Sequence, residues 1–99
     1  MHVISKRRLR EFWERPLRGD AQEPLEAWHA EAERSQWKNF ADVKRSYSNA
    51  SSVANDRIVF NIGGNKYRLI VGINYKAEIA FVKFIGSHKE YDQIDASTV

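Results

Sequence analysis

The hydrophobic pattern of this chain changes period once, and that change constrains its fold class more than any other feature. Up to about residue 45, apolar residues recur every three or four positions; from residue 57 they alternate. Leu9, Phe12 and Trp13 stand at i, i+3 and i+4, the spacing of one helix face. Ser5 ahead of them is a capping residue, and Pro16 and Gly19 end the helix. A second helix is expected near Asp20, with Glu23 three residues on as its capping-box partner. Pro24 falls in the first turn, where a missing N–H matters little. Leu25, Trp28, His29 and Ala32 make its apolar stripe, and Trp37, Phe40 and Val43 predict a short further helical turn. Residues 46–56, rich in Ser, Asn and Ala, read as an exposed loop.

In the second half, Ile58, Phe60 and Ile62 alternate with Arg57, Val59 and Asn61, which predicts a strand. Gly63-Gly64-Asn65 is a hairpin turn signal, because Gly and Asn tolerate positive φ. Lys66 to Asn74 is the next strand, with Tyr67, Leu69, Val71 and Ile73 on one face. After a turn at Lys76-Ala77, Glu78 to Ile85 is the third, broken by Gly86-Ser87, and His88 to Ile94 form a short tail. With a first strand at His2 to Ser5, the expected fold is α+β: an N-terminal strand and two helices packed on a three-stranded antiparallel meander. Residues 1–99 are expected to form one domain, the helices covering one sheet face and the other left open.

A chain of 99 residues must build a compact core. Three Trp, five Phe and four Tyr can supply much of it. The absence of cysteine removes disulfides, thiolate zinc sites and thiol nucleophiles, and suits a reducing compartment. Three histidines without His-x-x-x-His spacing argue against zinc, so no metal or cofactor is expected. No apolar run has the length of a signal peptide or a membrane span, which leads to the expectation of a soluble cytoplasmic protein with no membrane partner. The net charge of +3 is weak support for a polyanionic partner. Charge is blocked along the chain: basic over 6–18, acidic over 23–33 and basic again in the C-terminal half.

Strand parity indicates which charges share the open face. A two-residue turn at Gly63-Gly64 or Gly64-Asn65 places Asn61, Lys66 and Arg68 together. A two-residue turn at Lys76-Ala77 sets Arg68 opposite Ile85 and diagonal to Lys83, with Leu69, Val71, Val82 and Phe84 on the other face. His88 follows the third strand closely enough to fold back over the open face. These residue types suit cleavage of RNA by its own 2′-hydroxyl, which needs proton transfer and cations on the phosphate in the transition state. Arg68 offers a fork that matches phosphate oxygens, and Lys66 and Lys83 offer point charges. His88 is the proton-transfer candidate near neutral pH, and Tyr91 can stack on a base or donate a proton. On pattern alone, Arg68 and Lys83 read first as ordinary charges of a solvated sheet face, and a lone histidine after a strand is more often structural than catalytic. His2 and His29 read as structural, the tryptophans as core, and Lys6 to Arg10 as a solvated helix face, with Arg7 and Arg8 also candidates for RNA contact. The residues by themselves lead to a small basic α+β domain with a cationic sheet face.

The stretch from Phe60 to Val71, FNIGGNKYRLIV, resembles the HigB toxin family, as does Phe84 to Asp92, FIGSHKEYD. Met1 to Ser5 and Trp37 also fit. The resemblance covers nearly the whole chain, and its most specific motifs fall in residues 57–95. It implies a fold similar to RelE and ParE toxins and endoribonuclease cleavage of mRNA, often on translating ribosomes. It also implies neutralisation by a HigA-like helix-turn-helix antitoxin. Asn61, Lys66, Arg68, Lys83, His88 and Tyr91 match the family motifs. Arg68, Lys83, His88 and Tyr91 are the catalytic candidates, and Asn61, Lys66, Lys89, Arg7 and Arg8 the RNA-binding ones. Ser87 departs from a position where Thr is frequent but keeps the hydroxyl. Two rivals stand beside this reading: a ParE-like toxin that poisons gyrase, and a non-enzymatic RNA- or partner-binding module whose affinity would fall steeply with salt.

Overall fold

The computed structural model describes all residues 1–99. Strand β1 (His2–Ile4) leads into helix α1 (Lys6–Trp13). A single 3-10 turn at Gly19–Ala21 precedes α2 (Gln22–Arg34) and α3 (Phe40–Ser46). Strands β2 (Ser51–Val53), β3 (Arg57–Ile62), β4 (Tyr67–Asn74) and β5 (Ile79–Ser87) follow, and a one-turn helix α4 (His88–Tyr91) comes after them. The sheet has five strands in the order β1-β5-β4-β3-β2. β1 runs parallel to β5 and every other pair is antiparallel.

The expected meander is therefore the centre of a larger mixed sheet. The stretch 46–56 is not wholly loop: Ser51–Val53 pairs with Val59 to Arg57, and Asn55 and Asp56 turn the hairpin at φ +63° and +57°. Asn and Asp tolerate that region because their short polar side chains bond locally. β2 is short and mostly polar, so no alternation marks it in the sequence.

Ser5 caps α1, its side chain accepting from the Arg8 N–H. The capping box expected at Asp20 and Glu23 does not form. Helix α2 starts at Gln22 without a side-chain cap, and the Asp20 carboxylate instead accepts from Lys66 Nζ and the Tyr67 hydroxyl. Leu9, Phe12 and Trp13 of α1, Leu25, Trp28 and Ala32 of α2, and Val43 of α3 bury against one sheet face. That face presents Ile58, Phe60 and Ile62 from β3, Tyr67, Leu69, Val71 and Ile73 from β4, and Ala80, Val82 and Ile85 from β5. Trp28 meets Phe60 edge-on at 5.4 Å between ring centroids, and Phe12 meets Tyr67 at 5.3 Å, an arrangement that aligns ring edges with ring faces.

The turn between β3 and β4 carries Gly63 and Gly64 at φ +64° and +73°, and Asn61 stands opposite Arg68. Near the second turn the register is that of a two-residue connection, with Asn74 opposite Ile79 and Val71 opposite Val82. A bulge then intervenes. Ile70 pairs with Phe84 and Val71 with Val82, which leaves Lys83 as the extra residue. Arg68 consequently lies opposite Gly86, not Ile85. Phe84 lies opposite Ile70, on the face away from the helices and not among the core side chains.

That second face is not bare. Val59 and Ile70 on it are buried (4% and 0% exposed) although they stand outside the main core. The chain beyond α4 returns to this side: Asn55 Nδ2 donates to Ser97 O at 2.8 Å and Arg57 Nη2 to Val99 O at 3.0 Å.

Candidate functional site: a cationic sheet face beside helix α4

Five side chains gather where β4 meets α4. Arg68 Nη1 donates to Asn65 Oδ1 at 2.6 Å, and the guanidinium carbon lies 5.8 Å from the centroid of the Tyr91 ring. His88 joins this group through Tyr91, its ring 6.5 Å away in an edge-to-face arrangement. Asp92 Oδ2 stands 3.4 Å from His88 Nδ1. Both side chains are about half exposed, and no hydrogen bond joins them. Arg68 has no carboxylate within ion-pairing distance, so its charge is not cancelled.

α4 is four residues long and cannot persist by propensity alone. Ser87 and Glu90 hold it through a complete capping box: Ser87 Oγ accepts from Glu90 N at 3.1 Å, and Glu90 Oε1 accepts from Ser87 N at 2.8 Å. The same carboxylate pairs with Arg15 at 3.4 Å and Arg18 at 3.6 Å. The Ser87 backbone N–H first, and Arg15 after it, hold the Glu90 carboxyl below its ordinary pKa. Arg18 also lies over the rings of Phe12 and Tyr67. Glu90 thus ties the helix that carries His88 and Tyr91 to the region beyond α1. A backbone bond from His88 N to Lys66 O at 3.3 Å adds a second tether to the turn. Gly86, opposite Arg68, keeps this corner open: a Cβ there would fall 2.5 Å from Phe84 Cζ and 3.1 Å from Glu90 Cβ.

The other expected residues are distributed differently. Asn61 is opposite Arg68 and half-buried, with its side chain on the same face. Lys89 is exposed on α4. Lys66 does not join Arg68: it turns to the helix side and pairs with Asp20, which raises the lysine's pKa and lowers that of the aspartate. Lys83, displaced by the bulge, points along the sheet away from Arg68, with Cε above Gly72 and Nζ 5.4 Å from the Phe81 ring centroid. On α1, Arg7 pairs with Glu11 at 3.3 Å in solvent. Arg8 donates to Val82 O at 3.1 Å, a carbonyl next to the bulge, and so is part of the scaffold. Asn65, Glu90, Arg15 and Arg18 have roles that the charge pattern did not reveal. The Ser87-x-x-Glu90 spacing was a readable capping-box signal; the pairing of Glu90 with two arginines more than seventy residues away was not.

Helices cover one side of the mixed sheet, and Arg68, Tyr91 and His88 gather at a corner of the other. The family model for the HigB toxin, the RelE-like toxic component of a toxin–antitoxin system, matches residues 21–94, about three quarters of the chain. The chain belongs to that family. Such a toxin implies an antitoxin as partner. No curated protein matches the sequence. No helix is long and apolar enough to cross a membrane.

Proposed function

We propose that the chain is an mRNA interferase, a single toxin domain over residues 1–99 that cleaves messenger RNA and is neutralised by a HigA-like helix-turn-helix antitoxin. Its setting in this reading is the cytoplasm, and its substrate is mRNA, often engaged by the ribosome. The observation that carries it is the uncancelled Arg68 guanidinium, steadied by Asn65 and the Tyr91 ring, with the His88 ring 6.5 Å from that same Tyr91 ring between centroids.

The 2′-oxygen of one nucleotide attacks the adjacent phosphorus, and the bond to the 5′-oxygen of the next nucleotide breaks. A 2′,3′-cyclic phosphate and a free 5′-hydroxyl result. The proton lost by the 2′-hydroxyl and the one gained by the leaving oxygen must each pass through a positioned group, and His88 Nε2 serves one of these transfers. Arg68 holds the phosphate oxygens as negative charge builds, where a fixed donor contributes most. Tyr91 orients the nucleotide by stacking and keeps the guanidinium in place. Asn61 and Lys89 flank the cluster as RNA contacts.

Brief induction in a bacterial host without antitoxin, followed by primer extension on abundant transcripts, tests the reading. Discrete new 5′ ends inside translated regions are expected, and they should vanish with Arg68→Ala or His88→Ala. Growth arrest with intact transcripts would move the assignment to gyrase poisoning. Tight RNA binding without new ends would leave a binding module.

A further inference from the structure

The ladder between β2 and β3 stops short and opens a cleft one strand away from Arg68. Ile73 N donates to Asp56 O at 3.1 Å, and these two residues stand one step beyond the opposed pair Arg57 and Gly72. In an antiparallel pair, hydrogen-bonded positions alternate with unbonded ones. Ile58, Phe60 and Ile62 therefore turn their backbone groups to β4, and Arg57, Val59 and Asn61 turn theirs to the β2 side. β2 supplies partners for the first two only: Val53 stands opposite Arg57 and Ser51 opposite Val59. The next bonding pair would be Asn49 with Asn61. At that point the chain leaves the ladder as a turn, and the backbone N–H and C=O of Asn61 are left without a strand partner.

The gap is a cleft of about 330 Å³, with Ser46, Ser48, Asn49 and Asn61 as its polar lining and Tyr47 and Ala50 as its apolar part. It is the one cleft of the molecule with no charged side chain in its lining; each of the other four has at least one. The loop that frames it is held by its own bonds. Tyr47 N donates to Val43 O at 2.9 Å, Ala50 N to Tyr47 O at 3.0 Å and Lys44 Nζ to Ala50 O at 2.8 Å. The side chains of Ser46, Ser48 and Asn49 make no hydrogen bond within the protein. A preformed gap with free hydroxyls, a free amide, an unpaired strand edge and no charge suits a neutral, planar heterocycle that carries donors and acceptors on its rim.

We propose that this cleft is a base-binding subsite, which takes the nucleobase of a nucleotide next to the scissile phosphate and reads its hydrogen-bonding edge through Asn49, Ser46, Ser48 and the free backbone groups of Asn61. This rests on the reading of the protein as an RNA-cleaving toxin. Asn61 joins the two regions: it stands directly opposite Arg68, and neighbouring strands lie about 4.8 Å apart, a distance that one nucleotide spans between its phosphate and its base. An amide side chain, like the N–H and C=O of one strand residue, offers a donor and an acceptor side by side, and the edge of an unstacked base presents the complementary pair. The phosphate itself belongs on Arg68, since no cation lines the cleft.

The test induces the full chain in a bacterial host without antitoxin and sequences all new 5′ ends, so that base frequencies at each position around the cut are read from many sites. Wild type should favour one base at one position beside the cut. Asn49→Ala and Ser48→Ala should each lower the ratio of favoured to disfavoured base at that position about tenfold, with preferences at other positions kept. Neither residue has positive φ, so alanine is compatible with the turn, and an unchanged thermal midpoint checks that it is kept. Ser52→Ala, exposed on β2 and outside the cleft, should leave every preference as in wild type. Cuts by both cleft variants with wild-type preferences would overturn the subsite and leave the RNA reading intact. Wild-type cuts with no base preference beside the cut would do the same. Weaker neutralisation by the antitoxin with unchanged base preferences would assign the cleft to that partner and overturn the subsite likewise. If the wild-type chain produces no new 5′ ends, both readings fall.

Discussion

Lys66 and Arg68 are two residues apart and have opposite electrostatic fates. Lys66, just outside the β3–β4 ladder, is free of the strand's alternation and reaches Asp20 across the helix side. Arg68, inside the ladder, is held to the other face, where only Asn65 and an aromatic ring meet it. A Lys66→Ala variant should therefore affect stability more than RNA cleavage, and Arg68→Lys should reduce cleavage sharply, because an ammonium cannot reproduce the planar fork. Asp20 is the titrating half of the first pair. Hydrogen bonds from Lys66 and then Tyr67 hold its pKa below the ordinary value of 3.8. A carboxyl with a depressed folded pKa contributes stability above its unfolded pKa, and that contribution is lost as pH falls through the folded value. Asp20→Asn should lower the urea midpoint at pH 7, and the gap to wild type should close as the pH is taken below about 3.8. Equal gaps at pH 7 and pH 3 would show that Asp20 is not the responsible group.

At the scale of elements, α4 has the greatest effect on the site for its length. It places His88 and Tyr91, and it is held by the capping box, the tie from Glu90 to Arg15 and Arg18, and the bond from His88 N to Lys66 O. Loss of an N-cap hydroxyl costs about 0.5–2 kcal/mol. For a four-residue helix that is enough to unwind it locally while the rest of the sheet is untouched. Ser87→Ala and Glu90→Gln should each slow RNA cleavage about tenfold, a change of about 1.4 kcal/mol in the barrier. The thermal midpoint should move by only a few degrees, which for a domain of this size corresponds to less than about 1 kcal/mol. Ser87→Thr, which keeps the capping oxygen, should retain activity. A large fall in thermal midpoint with normal cleavage per folded molecule would show that α4 serves stability alone. The β5 bulge is the other decisive element, since one inserted residue separates Lys83 from Arg68 and sets Gly86 opposite Arg68.

For the whole molecule, one core behind the sheet holds these pieces in register. Leu69 lies at its centre on β4, fully buried, with Arg68 and Ile70 facing the other way. Leu69→Ala should cost about 2–5 kcal/mol, a large part of the roughly 5–15 kcal/mol typical of such domains. A denaturant melt reads this directly, and a loss below about 1 kcal/mol would contradict the packing described. The sequence by itself determined the helix stripes, the three central strands, the Gly63-Gly64 turn, the aromatic core and the motifs that mark the toxin family. These are local: periodicity, turn chemistry and capping depend on residues a few positions apart. Tertiary structure alone decided the rest. β1 joins the sheet edge in parallel and β2 extends it, because edge pairing is settled by backbone partners and leaves little trace in short polar strands. Asp20 abandons its helix cap for Lys66, Phe84 changes face, and the chain after α4 returns across the second face to Asn55 and Arg57. Each of these is a choice between a local partner and a distant one, and only the folded chain brings the distant partner within reach.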